Sequence, residues 1–93
     1  MDRIGIHIII RGRVQAVGYR AWLADAAKAR GLSGWCRNLS TGEVEAVLSG
    51  PPDDVHAVRQ ACMTGPGWAK VIAVDIVSDA DPVEGGFAIV ASA

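Results

Sequence analysis

The stretch IGIHIIIRGRVQAVGYRAWLADAAKARG, residues 4–31, changes its hydrophobic period once, which predicts a strand followed by a helix. Its first part places isoleucine at positions 4, 6, 8 and 10, a period of two that is typical of a half-buried β-strand. From Tyr19 the apolar positions recur every three or four residues, which predicts an amphipathic helix that Gly31 should end. The predicted helical stripe comprises Tyr19, Trp22, Leu23, Ala26, Ala27 and Arg30.

Two short strands joined by a hairpin are predicted next. They cover residues 33–38 and 43–49, and the small polar and glycine residues between them are typical of a tight turn. Alternate positions of the second strand should face opposite sides of the sheet. The set expected to face inward is Val44, Ala46 and Leu48. Glu43 and Glu45 are expected to face water.

The remaining elements complete a recognisable order. Asp53 is expected to cap a second helix that runs to about Met63. The β-branched run over residues 70–77 predicts another strand, and residues 87–90 can add a short fifth one. The order predicts an α+β fold, the ferredoxin-like split βαβ sandwich (βαββαβ), with an antiparallel sheet and two helices on one face. Residues 1–93 are expected to form a single domain.

The composition is typical of a folded domain without a global charge preference. The 93 residues are 51% hydrophobic and 20% charged, which excludes the profile of a disordered chain. The formal net charge of −1 provides no overall positive field to attract nucleic acid or an anionic membrane. Any anion site is therefore expected to be local.

The N-terminal apolar stretch does not have the length or flanks of a signal peptide or a membrane span. The sequence therefore predicts a cytoplasmic protein with no membrane association. Cys36 and Cys62 lie far apart without a Cys-x-x-Cys pattern, so neither a metal site nor a redox motif is supported. Two buried thiols are expected, and a disulfide between them stays open.

The connection between the first strand and the first helix has features of an anion site. A loop that leads into a helix N-terminus exposes unpaired backbone N–H groups at the positive end of the helix dipole. Arg20 would add a rigid fork of donors that suits phosphate. The spacing of a nucleotide P-loop is absent, so a phosphate cradle and a plain turn with a solvated charge are both open here.

Asn38 is a second candidate, near the turn of the predicted hairpin. Its side chain both donates and accepts hydrogen bonds, so it can hold a water molecule in a chosen orientation. Asparagine is also a frequent turn residue, which is the alternative at this position.

Together the two segments resemble the signature segments of the acylphosphatase family. Residues 12–20 are similar to the family pattern Gly-x-Val-Gln-Gly-Val-x-Phe-Arg. Residues 34–50 fill every fixed position of its pattern Gly-aromatic-small-x-Asn-x-x-x-Gly-x-Val-x-x-x-x-x-Gly. Weaker similarity continues through residues 67–71 and 87–89, so the resemblance covers essentially the whole chain.

The resemblance implies an acylphosphatase, a hydrolase that splits the carboxyl-phosphate bond of acyl phosphates into carboxylate and inorganic phosphate. It implies no metal site and no cofactor, and we expect a monomer that has no nucleic-acid partner. Arg20 would be the phosphate-binding cation, and Asn38 would orient the attacking water. The implied phosphate-binding residues are Gln15, Ala16, Val17, Gly18, Tyr19 and Arg20.

Two positions depart from the family pattern. Ala16 stands where glycine is usual, and if that position needs a positive φ, the methyl group costs about 1 kcal/mol. Tyr19 replaces the commoner phenylalanine, so its hydroxyl needs a hydrogen-bond partner or solvent.

The alternative is a non-catalytic ferredoxin-like domain that binds an anion or RNA. The intact Arg20 and Asn38 argue against a decayed enzyme. The net charge and the lack of an aromatic RNA-binding strand motif argue against RNA.

Overall fold

A computed structural model describes residues 2–93, so only Met1 of the predicted domain lies outside the described residues. The seven elements follow the predicted order closely. They are β1 (Ile4–Arg13), α1 (Tyr19–Ala29), β2 (Ser33–Asn38), β3 (Val44–Gly50), α2 (Pro52–Cys62), β4 (Lys70–Asp79) and β5 (Phe87–Ile89).

The strands form one five-stranded sheet in the order β4-β1-β3-β2-β5. The four longer strands pair antiparallel, as the sequence predicts. The short β5 is different, because it pairs parallel to the edge of β2 and makes the sheet mixed. The ferredoxin-like α+β fold is confirmed, with this parallel fifth strand as the correction to a purely antiparallel sheet.

The isoleucine stripe of β1 lies at the centre of the core. Ile6, Ile8 and Ile10 belong to one cluster of buried side chains that also contains Leu23 of α1 and Val55 of α2. Both helices therefore pack on the same face of the sheet, as predicted. Among the described residues, neither helix combines the length and apolar character needed to cross a membrane.

Three local predictions are wrong in detail. Pro51 rather than Asp53 is the N-cap of α2, and Asp53 lies in the first turn of that helix. Arg30 is exposed and follows α1, so the helical stripe ends at Ala27. Glu45 does alternate away from the core, but it is only 9% exposed because neighbouring side chains cover it.

Those neighbours are charged or polar groups on the face of the sheet opposite the helices. Arg37 Nε donates to Glu45 Oε1 at 2.6 Å, and His7 Nε2 lies 2.7 Å from Glu45 Oε2. The Arg37 guanidinium also lies over the Trp35 ring, 5.1 Å from its centroid. Pairing with Arg37 and His7 allows a carboxylate to be buried at this position.

Candidate active site

The N-terminus of α1 is open to an anion. Its N-cap, Gly18, has a φ of 78° and provides no side-chain hydrogen bond to the first backbone N–H groups. The first turn of α1 contains no acidic residue, whereas α2 carries Asp53 and Asp54 in its first turn. The uncapped N–H groups and the helix dipole therefore favour a bound anion at α1.

Ala16 occupies the conformation that the family pattern fills with glycine. Its φ is 61°, which makes it the one non-glycine residue with positive φ among residues 2–93. From the sequence, a cost is expected at Ala16 if this position needs a positive φ, and the structure shows that the backbone here is left-handed. The methyl group costs about 1–2 kcal/mol in this conformation.

Arg20 lies in the first turn of α1, and no hydrogen bond or ion pair of its guanidinium is found within residues 2–93. Several other arginines are paired. Arg11 pairs with Glu43 and Asp75, Arg30 pairs with Asp54, and Arg37 pairs with Glu45. Arg20 is therefore a half-buried cation whose donors are available to a ligand at the uncapped helix end.

The side-chain amide of Gln15 is hydrogen-bonded to the protein backbone. Its Nε2 donates to the carbonyl of Leu39 at 2.7 Å and to the carbonyl of Glu43 at 2.9 Å. Both carbonyls also accept the backbone bonds that close the β2–β3 turn. The amide thus ties the loop to the hairpin, and only the main chain of Gln15 is left for a phosphate.

Asn38 ends β2, immediately before that turn. Its backbone carbonyl accepts a hydrogen bond from the Ala93 N–H at 3.0 Å, which fixes its main chain. Its side-chain Oδ1 is buried and has no hydrogen-bond partner among the described residues. An orphaned buried acceptor costs about 1–3 kcal/mol, so a donor bound beside Asn38 would be stabilised.

A cavity of about 200 Å³ brings these groups together. It is lined by Val14, Ala16, Gly18, Tyr19, Arg20, Ala21, Asn38 and Ile89. Five of the residues that the resemblance assigns to the site are among them; Gln15 and Val17 do not line the cavity, and Val17 packs against the core. A larger cavity, of about 460 Å³, lies around the start of β1 and is lined by none of the predicted site residues.

The nearby ionisable groups are poor nucleophiles at neutral pH. Burial raises the pKa of the Cys36 thiol to about 11, although the charge of Arg20 opposes this shift. Burial also raises the pKa of the Cys62 thiol to about 11 and moves the pKa of Tyr19 well above its usual value. Both cysteines are free and buried, so the disulfide that the sequence left open is not formed.

The Tyr19 hydroxyl has a partner in the core. It donates to the carbonyl of Cys62 at 2.7 Å, at the end of α2 where helix carbonyls lack intrahelical partners. The hydroxyl proton is therefore engaged with this carbonyl. Within residues 2–93, no group of three or more His, Cys, Asp or Glu side chains is placed to hold a metal ion.

Sequence reasoning missed three residues that line the cavity. Val14 continues the period-two pattern of β1, and Ala21 directly follows Arg20, so both carried a local signal. Ile89 carried only the weaker family similarity of residues 87–89, which did not mark it as a site residue, because the parallel pairing of β5 with β2 is what brings it near Asn38.

The comparisons with known proteins agree with this geometry. Residues 6–89 match the sequence model of the acylphosphatase family. A protein of Azorhizobium caulinodans named acylphosphatase is 49% identical over 88 residues, which cover 94% of this chain and 95% of that protein.

Two solved structures are also similar. An acylphosphatase from Bacillus subtilis superposes with a TM-score of 0.86 at 32% identity, over 94% of this chain and 98% of that chain. An acylphosphatase from Coxiella burnetii gives a TM-score of 0.88 at 29% identity, over 95% and 93% of the two chains. With the loop, the free arginine and the asparagine in one cavity, these matches show that the chain belongs to the acylphosphatase family.

Proposed function

We propose that this chain performs the acyl phosphate hydrolysis of its family with a site divided between two segments. The loop of residues 15–20 and the guanidinium of Arg20 bind the phosphate, and the side chain of Asn38 orients the attacking water. The observation that carries the proposal is the unpaired Arg20 at the uncapped N-terminus of α1, with Asn38 lining the same cavity.

Phosphate binding is supported by the donors of the loop and the first turn. Backbone N–H groups at a helix N-terminus bind oxyanions, and the helix dipole adds a favourable field. Arg20 can donate two parallel hydrogen bonds to phosphate oxygens and neutralise part of their charge. These donors would also stabilise the charge that develops on the phosphoryl oxygens in the transition state.

The chemical step follows from the substrate's own leaving group. The oxygen of a water held by Asn38 attacks phosphorus, the bond from phosphorus to the acyl oxygen breaks, and a carboxylate leaves with that electron pair. The water's proton passes to a phosphate oxygen of the substrate. Because a carboxylate leaves readily, positioning and charge stabilisation supply the catalysis, and a dedicated general base is not needed.

The same proposal includes the setting in which the chain acts. We propose one acylphosphatase-like domain over residues 1–93 that works as a monomer in the cytoplasm, on small acyl phosphates and not on nucleic acid. The single buried core supports one domain. Two free thiols suit a reducing compartment, and the net charge of −1 does not favour nucleic acid. The comparisons give no support to the non-catalytic alternative.

Hydrolysis of benzoyl phosphate by the purified protein, with a chelator present, tests the proposal. We expect turnover that inorganic phosphate inhibits competitively and that Arg20→Ala reduces by about 100-fold or more. Arg30→Ala is the matched control, because Arg30 also belongs to the α1 region but pairs with Asp54 on the surface. Absence of turnover in the wild type, or equal losses in the two variants, would contradict the proposal.

A further inference from the structure

Ile89 is held beside the proposed active site by the fifth strand. It pairs in register with Cys36, two residues before Asn38 along the parallel neighbouring strand. Because side chains alternate along a strand, Ile89 shares its face with Phe87, which belongs to the core and is 6% exposed. Ile89 itself is 46% exposed, so it borders the cavity without being packed into the core.

In the described part of the chain, the cavity lining contains one charged side chain, and most of its other side chains are apolar. Among the lining residues that the structure describes, Arg20 is the one charged side chain, and the proposed function assigns it to the phosphate. The hydroxyl of Tyr19 is engaged with the Cys62 carbonyl. The two lining residues outside both sequence motifs, Ala21 and Ile89, are apolar. With Arg20 on the phosphate and Asn38 on the water, the side chains left for an acyl group to contact are largely apolar.

The cavity is also small. Its volume of about 200 Å³ lies below the range of roughly 300–1,000 Å³ that is usual for sites enclosing drug-sized ligands. Once a phosphate is in place, little of that volume is left, so the acyl group would lie against the half-exposed side chain of Ile89 at the edge of the cavity.

We infer that Ile89 is a specificity-determining residue that, with Ala21, contacts the acyl group and favours uncharged acyl phosphates over those with a second anionic group. A carboxylate held against these side chains would lose hydration without gaining a hydrogen-bond partner. An apolar acyl group would instead bury surface against Ile89. This inference rests on the proposed function. It assigns Ile89 and Ala21 to the acyl half of the substrate, for which neither sequence motif provides a contact.

Steady-state kinetics with three substrates test the inference: acetyl phosphate, benzoyl phosphate and succinyl phosphate, which carries an extra carboxylate. The variants are Ile89→Ala and Ile89→Lys. Ala88→Lys is the matched control, because it places the same charge one residue away on the opposite face of β5. The inhibition constant of inorganic phosphate is measured in each protein, since it reports the phosphate half of the site alone.

We expect Ile89→Ala to raise the KM for benzoyl phosphate about fivefold, less than the roughly tenfold or greater effect in an enclosed pocket, because Ile89 is half exposed. The KM for acetyl phosphate and the phosphate inhibition constant should change less than about twofold, because little or no acyl surface is lost. Ile89→Lys should raise kcat/KM for succinyl phosphate relative to benzoyl phosphate by about fivefold or more, and Ala88→Lys should leave that ratio unchanged.

Two results would overturn the inference while leaving the proposed function intact. One is a wild-type-like benzoyl phosphate KM in Ile89→Ala. The other is an equal change for all three substrates and for inorganic phosphate, which would assign Ile89 a structural role. If the wild type hydrolyses none of the three substrates, the proposed function itself fails.

Discussion

The side-chain amide of Gln15 donates a hydrogen bond to the carbonyl of Leu39 at 2.7 Å, which links the proposed phosphate loop to the residue that follows Asn38. A second bond from the same amide reaches the carbonyl of Glu43 at 2.9 Å. The two halves of the proposed site are therefore joined by one neutral side chain. In the proposed site Gln15 would therefore act as a positioning residue, and the backbone of its loop would bind the phosphate.

Gln15→Met should damage turnover more than phosphate binding. The variant keeps the length of the side chain but removes both donors, so the turn that follows Asn38 is released from the loop. We expect kcat for benzoyl phosphate to fall about tenfold, because small misplacements of reacting groups are costly. The free energy of unfolding should fall by about 1–2 kcal/mol. The inhibition constant of inorganic phosphate should stay within about twofold of the wild type.

The control for Gln15 is Gln60→Met, which makes the same change at an exposed position on α2. It should leave turnover and stability close to wild-type values. An unchanged kcat in Gln15→Met would show that the link does not position Asn38.

Ala16→Gly should stabilise the protein. The φ of 61° costs alanine about 1–2 kcal/mol, and glycine avoids that cost. Glycine also increases the entropy of the unfolded chain, which reduces the expected stabilisation by about 0.4–1 kcal/mol. We expect a net gain of about 0.5 kcal/mol in the free energy of unfolding, measured by urea denaturation.

The same substitution within α1 provides the contrast. Ala26→Gly should lower the free energy of unfolding by about 1 kcal/mol, since glycine disfavours a helix interior. Two losses of equal size would show that Ala16 is not strained by its backbone conformation.

Tyr19→Phe should affect stability and spare activity. It removes the hydrogen bond to the Cys62 carbonyl and leaves that helix-end carbonyl without its side-chain donor. We expect a loss of about 1–2 kcal/mol in unfolding free energy and a kcat within about twofold of the wild type. A loss of turnover without a loss of stability would place the hydroxyl in the chemistry.

The same tyrosine has a spectroscopic signature, because it is the chain's single tyrosine. Burial raises its pKa above the ordinary value of about 10. Ultraviolet absorbance should therefore show no tyrosinate near pH 10 while the protein stays folded.

Glu45 should make stability depend on acid pH. Burial opposes its ionisation, but the hydrogen bonds from Arg37 and His7 outweigh that effect and hold the pKa of the carboxyl below its usual range. The folded state thus favours the ionised form, so its contribution is fully present above the unfolded pKa of about 4.3. That contribution is lost as the pH falls through the lower pKa of the folded state.

Urea denaturation between pH 7 and pH 3 measures this dependence. Glu45→Gln should lower the free energy of unfolding by about 1.5–3 kcal/mol at pH 7, and its deficit should shrink towards pH 3. Glu84→Gln, at an exposed position, is the control. A deficit of constant size across the range would mean that the charge of Glu45 does not contribute to stability.

The elements were predictable where the local pattern is strong. The period of two in β1 and its change at Tyr19 predict a strand and a helix, since each backbone exposes side chains at its own repeat. The prediction ended β1 at Ile10, whereas pairing with β4 carries the strand on through Gly12 to Arg13. The end of a strand depends on its pairing with neighbouring strands, and the local sequence pattern does not reveal that pairing.

The site was predictable only in part for a similar reason. The resemblance to a family named Arg20 and Asn38, and the structure brings both to one cavity. The resemblance could not predict contacts between segments that are distant in the sequence. The link from Gln15 to the hairpin, the burial of Glu45 and the placement of Ile89 each depend on strands that meet only in the folded sheet.

In the proposed mechanism Arg20 holds the phosphate and Asn38 holds the attacking water, and calorimetric titration of inorganic phosphate alongside benzoyl phosphate kinetics separates these two roles. Asn38→Ala should bind phosphate within about threefold of the wild type and lose about 100-fold or more in kcat, because water positioning acts in the transition state. Arg20→Ala should lose phosphate binding as well as turnover. An Asn38→Ala variant with near-wild-type kcat, or an Arg20→Ala variant that binds phosphate normally, would contradict the assignment.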